Sequence, residues 1–270
     1  MRIVDLLVAS LVVSLVACSE PGASPPAARP VTLVSAPSVA PLPTPNGPVY
    51  DPDPEGRPTA ILRDDAPNMR YAALDRDTCE AELERRGVPF VRGEPTDGVL
   101  EPERLRGPLH GVAIHTGAPI AVRERSSMEI FDCRLVVALD DFAALASARG
   151  VVEMNHISAY RPKSAYGCTV KYPGLQHCAA LAVDIAVFKL ADGTVWNVQK
   201  NFHGHVGSPT CGPTAHPTAA TPASTALLGL VCDAADRGIF NVMLTPNYNA
   251  EHFNHLHVEI TPRARWMLIH

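Results

Sequence analysis

Twelve of the chain's 26 prolines fall between Ser19 and Pro58, in a stretch otherwise built mainly of Ala, Ser and Val. Each proline fixes φ and removes a backbone donor, so prolines this dense exclude both a helix and a central strand. Such a segment buries no core and tends toward extended polyproline II. Residues 19–58 are therefore expected to form a disordered tether, and folding is confined to about residues 59–270. That length suits one domain of roughly 200 residues.

The segment before the tether has its own character. Arg2 precedes an apolar run from Leu6 to Ala17, which is short for a bilayer span but suits the h-region of a signal peptide. Asp5 departs from the purely positive start that is usual there. The run ends in Leu15-Val16-Ala17-Cys18, which resembles a bacterial lipobox, in which the Cys is diacylated and becomes the new N-terminus. Residues 1–18 are expected to be a lipoprotein signal peptide, with Cys18 as the lipidation site. The alternatives are a plain signal peptide with an incidental Cys, or an uncleaved anchor. Acyl chains would hold the protein on a membrane, at the periplasmic face of an outer membrane or at the cell surface.

Cysteine parity agrees. With Cys18 carrying lipid, six of the seven cysteines remain: Cys79, Cys133, Cys168, Cys178, Cys211 and Cys232. An even number in an exported chain reads as disulfides, and six allow about 15 connectivities. The favoured pair is Cys168 with Cys232. The net charge of −5 and the lack of a Lys/Arg stripe argue against nucleic acid as a partner.

Within the folded part, Asp77 with Glu80 has capping-box spacing, and Gly87 closes a short helix. Val88 to Val91 reads as a strand. A second helix is expected from Cys133 to Arg149, with Leu135, Val136, Leu139, Phe142, Ala143 and Ala146 inward and Gly150 as its stop. A third is expected from Ser224 to Arg237, with Leu227, Leu228, Val231 and Ala235 inward and Gly238 beyond it. Strand-like runs lie at Gly111–Ile114, Ile157–Tyr160, Ala182–Phe188, Thr194–Val198 and Leu256–Ile260. The expected class is α+β, a small and mostly antiparallel sheet with flanking helices.

Three segments carry chemistry. In His255-Leu256-His257-Val258-Glu259-Ile260, strand alternation places His255, His257 and Glu259 on one face and the apolar residues on the other. His177 precedes by seven residues Asp184, which sits inside the apolar run Leu181–Phe188, where a carboxylate must be paired or metal-bound. The plainer account of Asp184 is a salt bridge to an arginine. His177, Asp184 and His257 together offer two nitrogens and one oxygen, a suitable three-ligand set for Zn2+ with one coordination position left open. In Ser158-Ala159-Tyr160-Arg161-Pro162, Arg161 is placed to fork onto a substrate carboxylate or an oxyanion. His203-Gly204-His205 with Cys211 and His216 is a second conceivable metal set, but a Gly/Pro-rich loop with scattered histidines is the simpler account. Cys178 is better read as a disulfide partner, of Cys211 or another cysteine, than as a ligand.

The run from Leu244 to His257 resembles the C-terminal signature of extensin-like bacterial proteins. So do His177 to Asp184, Phe188 to Gly193, Cys79 to Val88 and Cys133-Arg134-Leu135, in order over about Asp77 to Ile260. That family is similar to zinc D-Ala-D-Ala metallopeptidases, whose small α+β fold is shared with lysostaphin-type endopeptidases and the hedgehog signalling domain. The resemblance implies zinc ligands His177, Asp184 and His257, with His255 beside them as a catalytic residue and Arg161 as substrate partner. It implies a zinc-dependent peptidase acting on peptidoglycan or other short peptides. Two positions depart from the pattern. Ala180 stands where the family has Gly, and Asn254 stands where the peptidases place an acid. A neutral amide cannot act as general base, which leaves His255 or Glu251 for that role, or a non-catalytic binding lipoprotein.

Overall fold

The computed structural model describes residues 60–61, 64–162 and 176–270. The signal segment, Cys18, the Pro-rich segment and Cys168 lie outside the described residues. The elements in chain order are β1 (Ala60–Ile61), α1 (Pro67–Ala72), α2 (Arg76–Arg86), β2 (Phe90–Arg92), β3 (Pro102–Leu105) and β4 (Ala113–Thr116). Next come α3 (Ile120–Arg123), β5 (Phe131–Asp132), α4 (Cys133–Ser147), β6 (Val151–Ser158), β7 (Ala182–Leu190) and β8 (Val195–Asn197). The last are α5 (Val198–Asn201), α6 (Pro222–Asp236), β9 (Val242–Leu244), β10 (Leu256–Glu259) and β11 (Trp266–Ile269).

The fold is mixed α+β with two sheets. The larger runs β1-β11-β9-β10-β7-β6-β4, with β8 also on β7, and the smaller is β2-β3-β5. Its pairings are antiparallel except β9 with β11 and β4 with β6. The helix α4 packs against α1, α2 and α6. All six apolar residues expected to point inward from it are buried, as are Leu227, Leu228, Val231 and Ala235 of α6. Gly87, Gly150 and Gly238 all have positive φ beyond their helices, a conformation that glycine adopts without steric penalty.

Several boundaries differ from expectation. The N-cap of α2 is Asp75, not Asp77: its side chain accepts from the backbone of Thr78, and the Thr78 hydroxyl closes the box. The expected strand at 157–160 is the tail of β6, which starts at Val151. Cys232 is bonded to Cys211, not to Cys168, and Cys79 to Cys133. Cys178 is also disulfide-bonded, so it is not a ligand, and Cys211 is not its partner. Among the described residues no helix is long and apolar enough to cross a membrane.

Candidate metal centre

Three neighbouring strands bring the site together. Register places Asp184 of β7 opposite His257 of β10 on one side and opposite Ser158 of β6 on the other. His177 enters from the 3₁₀ turn Gln176–Ala179, just before β7. That turn closes through Ala180, which is fully buried with φ of 53°, and the Ala180 amide donates to the His177 carbonyl at 3.1 Å.

Asp184 divides its two oxygens. Oδ2 accepts from the Ser158 hydroxyl at 2.9 Å and from the Arg161 guanidinium. Oδ1 faces His177 Nε2 at 3.2 Å, His257 Nδ1 at 3.0 Å and His255 Nε2 at 3.4 Å. The arginine salt bridge and the histidine cluster thus coexist on one carboxylate. Burial opposes ionisation of Asp184, but the charges and hydrogen bonds of His177 and His257 outweigh it and hold the carboxyl well below its ordinary value.

The outward nitrogens of both rings are committed. His177 Nδ1 lies 2.6 Å from the Ala159 carbonyl, and His257 Nε2 lies 3.1 Å from Glu259 Oε2. Both partners can only accept, so both nitrogens carry the proton, and in a neutral ring the inward nitrogen is then a lone pair. Lone pairs of His177 and His257 would confront a buried carboxylate oxygen at hydrogen-bond distance. Such a contact is stable only with positive charge between the groups, as protons or as a cation. Carboxylates on both sides of His257 overcome burial and lift it to about 9, which shows the same demand for positive charge.

The donor set fits a metal ion. One atom each of His177, Asp184 and His257 lie within 4.8 Å of one another, and all three residues are buried. Tetrahedral zinc at its usual bond lengths spaces its ligand atoms about 3.3 Å apart, close to the 3.0 and 3.2 Å found here. Hydrogen bonds to the outward nitrogens of metal-binding imidazoles commonly fix the tautomer and ring orientation in such sites. A second grouping, Cys79 and Cys133 with Glu101, cannot ligate through sulfurs already joined in a disulfide.

Other singled-out residues have plainer places. His255 Nδ1 donates to Asn254 Oδ1 at 2.8 Å, which turns its Nε2 toward Asp184. Glu251 is exposed in the turn capped by Asn249. His203 and His205 serve loop geometry through a backbone carbonyl and a backbone amide, and Cys211 is oxidised. Strand alternation predicts the face of Glu259 but not its bond to His257, and it assigns no role to Ser158 or His252. The His252 ring lies 5.0 Å from that of His255 and 5.9 Å from that of His257. Burial and then the charges of His257 and His255 push it down to about 3.

No curated protein and no solved structure matches the chain. The family model described as extensin-like protein C-terminus matches residues 77–269, a span from α2 to the end of β11 that contains every residue around Asp184 described above. The chain belongs to the extensin-like protein C-terminus family.

Proposed function

We propose that this chain is a zinc-dependent, peptidase-like envelope lipoprotein acting on short peptides of peptidoglycan, by carboxypeptidase or endopeptidase cleavage. The supporting observation is the convergence of His177 Nε2 and His257 Nδ1 on Asp184 Oδ1, with both outward nitrogens already donating. The resemblance of its motifs to those of zinc D-Ala-D-Ala metallopeptidases is what suggests the substrate class. When bound, zinc supplies Lewis acidity toward a scissile carbonyl. Arg161 and Ser158 fix the orientation of Asp184 through Oδ2. The Arg161 side chain is 38% exposed, so it is also open to a substrate carboxylate or oxyanion. Asn254 orients His255 with Nε2 inward, the geometry required of a proton acceptor.

The test combines zinc content with hydrolysis of peptidoglycan fragments. One zinc per chain is expected, lost in His257→Ala and kept in His203→Ala; full retention in His257→Ala overturns the ligand set. Asn254→Asp should raise hydrolysis by about 10²-fold or more if a carboxylate base is what limits the rate. If His255 is the base, His255→Ala should be the damaging change and Asn254→Asp nearly silent. The amide at Asn254 also favours a second reading, a zinc-containing binding or structural lipoprotein. That reading holds if every variant with intact ligands binds zinc and none cleaves. Membrane attachment is tested by Cys18→Ser, which should release the protein or leave an unprocessed precursor.

A further inference from the structure

A cleft of about 290 Å³ opens between the segment joining β3 to β4 and the short helix α3, and no residue around Asp184 lines it. Three arginines, Arg104, Arg106 and Arg123, are among its lining residues, together with Pro108 and Ile120. Ile120, one of the lining residues, is 65% exposed, which leaves its side chain available to an apolar group.

The cations there are poorly matched by the protein itself. Arg104 donates to two neutral carbonyls, Arg123 O at 3.5 Å and Ser126 O at 3.0 Å. Arg123 Nε is buried with no acceptor among the described residues. Glu129 lends Arg104 its charge at a distance, but its oxygens bond elsewhere: Oε1 accepts from the Thr116 amide at 2.7 Å and its hydroxyl at 2.6 Å, and Oε2 faces His156 at 3.5 Å. Glu124 reaches only Arg106, at 3.9 Å and in solvent. Both Arg104 and Arg123 are half-buried. Burial lowers the proton affinity of Arg104 and the charge of Arg106 adds to this, against partial opposition from Glu129, so a further anion there is favourable.

We infer that this cleft binds an organic monocarboxylate carrying an apolar group, with the carboxylate on Arg104 and Arg123 and the apolar group against Ile120. Three arginines and two glutamates line the cleft, a formal excess of one positive charge, which suits a monoanion better than a dianion. Guanidinium forks match a carboxylate in shape as well as charge. The inference is independent of the metal reading.

Calorimetric titration of the whole chain tests it, after chelator treatment and dialysis to empty the Asp184 centre. The probes are N-acetylleucine and N-acetylleucinamide, which differ only in the anion. The acid should bind at least about tenfold more tightly than the amide. Arg123→Gln and Ile120→Asp should each weaken the acid by a similar factor while the melting temperature holds. Equal binding of acid and amide overturns the proposal without any variant. So does inorganic phosphate binding as tightly as the acid, or acid binding that appears only in zinc-loaded protein.

Discussion

Glu259 shows how far single residues can be read from sequence. Strand alternation puts it on the face of His257. It does not show that the carboxylate reaches back to Nε2 of that ring at 3.1 Å, because residues two apart on a strand touch only when their rotamers turn toward each other. The second tautomer lock is the Ala159 carbonyl, a backbone group with no side-chain signature at all. Glu259 Oε1 and Oε2 also accept from Thr261 Oγ1 and the Gln176 amide, so the carboxylate is itself held in place. Glu259→Gln should leave the fold intact yet weaken metal affinity by about 10–100-fold. Competitive zinc titration reads this, and unchanged affinity would remove Glu259 from the site. Ala180 is a departure visible in sequence whose consequence is visible only in structure: φ of 53° in a buried turn. Ala180→Gly should stabilise the protein by about 0.5–1 kcal/mol, since relief of left-handed strain exceeds the added chain entropy. Urea denaturation checks the sign.

At the scale of elements, the long helices were legible because their periodicity and glycine stops are local. The first cap was misread for an equally local reason. Both Asp75 with Thr78 and Asp77 with Glu80 have capping-box spacing, and the earlier pair forms because Thr78 returns a bond to the Asp75 amide at 3.1 Å. Asp75→Ala should therefore lower the melting temperature while Asp77→Ala leaves it nearly unchanged; the reverse order would restore the later start. The strand β6 hid for a different reason. Its pairing with β7 shifts register between Val151 and Glu153, between Asn155 and His156, and between His156 and Ser158. Bulges break the two-residue period, so only its tail read as a strand. The same irregularity turns His156 toward the Phe131 ring and Ser158 toward Asp184. Disulfide partners are set by this tertiary arrangement, not by spacing along the chain, which is why Cys232 was assigned to the wrong cysteine.

For the molecule as a whole, the distribution of buried carboxyls sets how stability follows pH. Glu101 and Glu103 are 1% and 0% exposed, and all four carboxyl oxygens lack a hydrogen-bond partner among the described residues. Burial, with Asp132 adding to it, raises Glu101 to about 7 against the pull of Arg134 and Arg76. Burial, with Glu80 adding to it, raises Glu103 to about 8 against Arg92 and Arg76. A carboxyl whose folded value lies above its unfolded one binds more protons in the native state. Stability therefore falls as pH rises from about 4.5 and levels off above about 8. The loss is of order a few kcal/mol per group. Glu129 works in the opposite sense. Burial opposes its charge, but bonds from His156 and Thr116 hold it at about 2, so its contribution is present above about 4.5 and lost as pH falls toward 2. Together these place maximal stability on the acid side of neutrality, near pH 5. Denaturation midpoints from pH 3 to 9 measure the profile, and comparing parent with variant cancels any metal contribution shared by both. Glu101→Gln with Glu103→Gln should make the decline above pH 5 shallower, leaving the part between about 6.5 and 9 that His257 contributes, and leave the acid limb unchanged. A parent profile level from pH 5 to 9, or a double variant that declines as steeply as the parent between pH 5 and 7, below the range His257 governs, would show that these carboxyls are neutralised by partners other than their own protons.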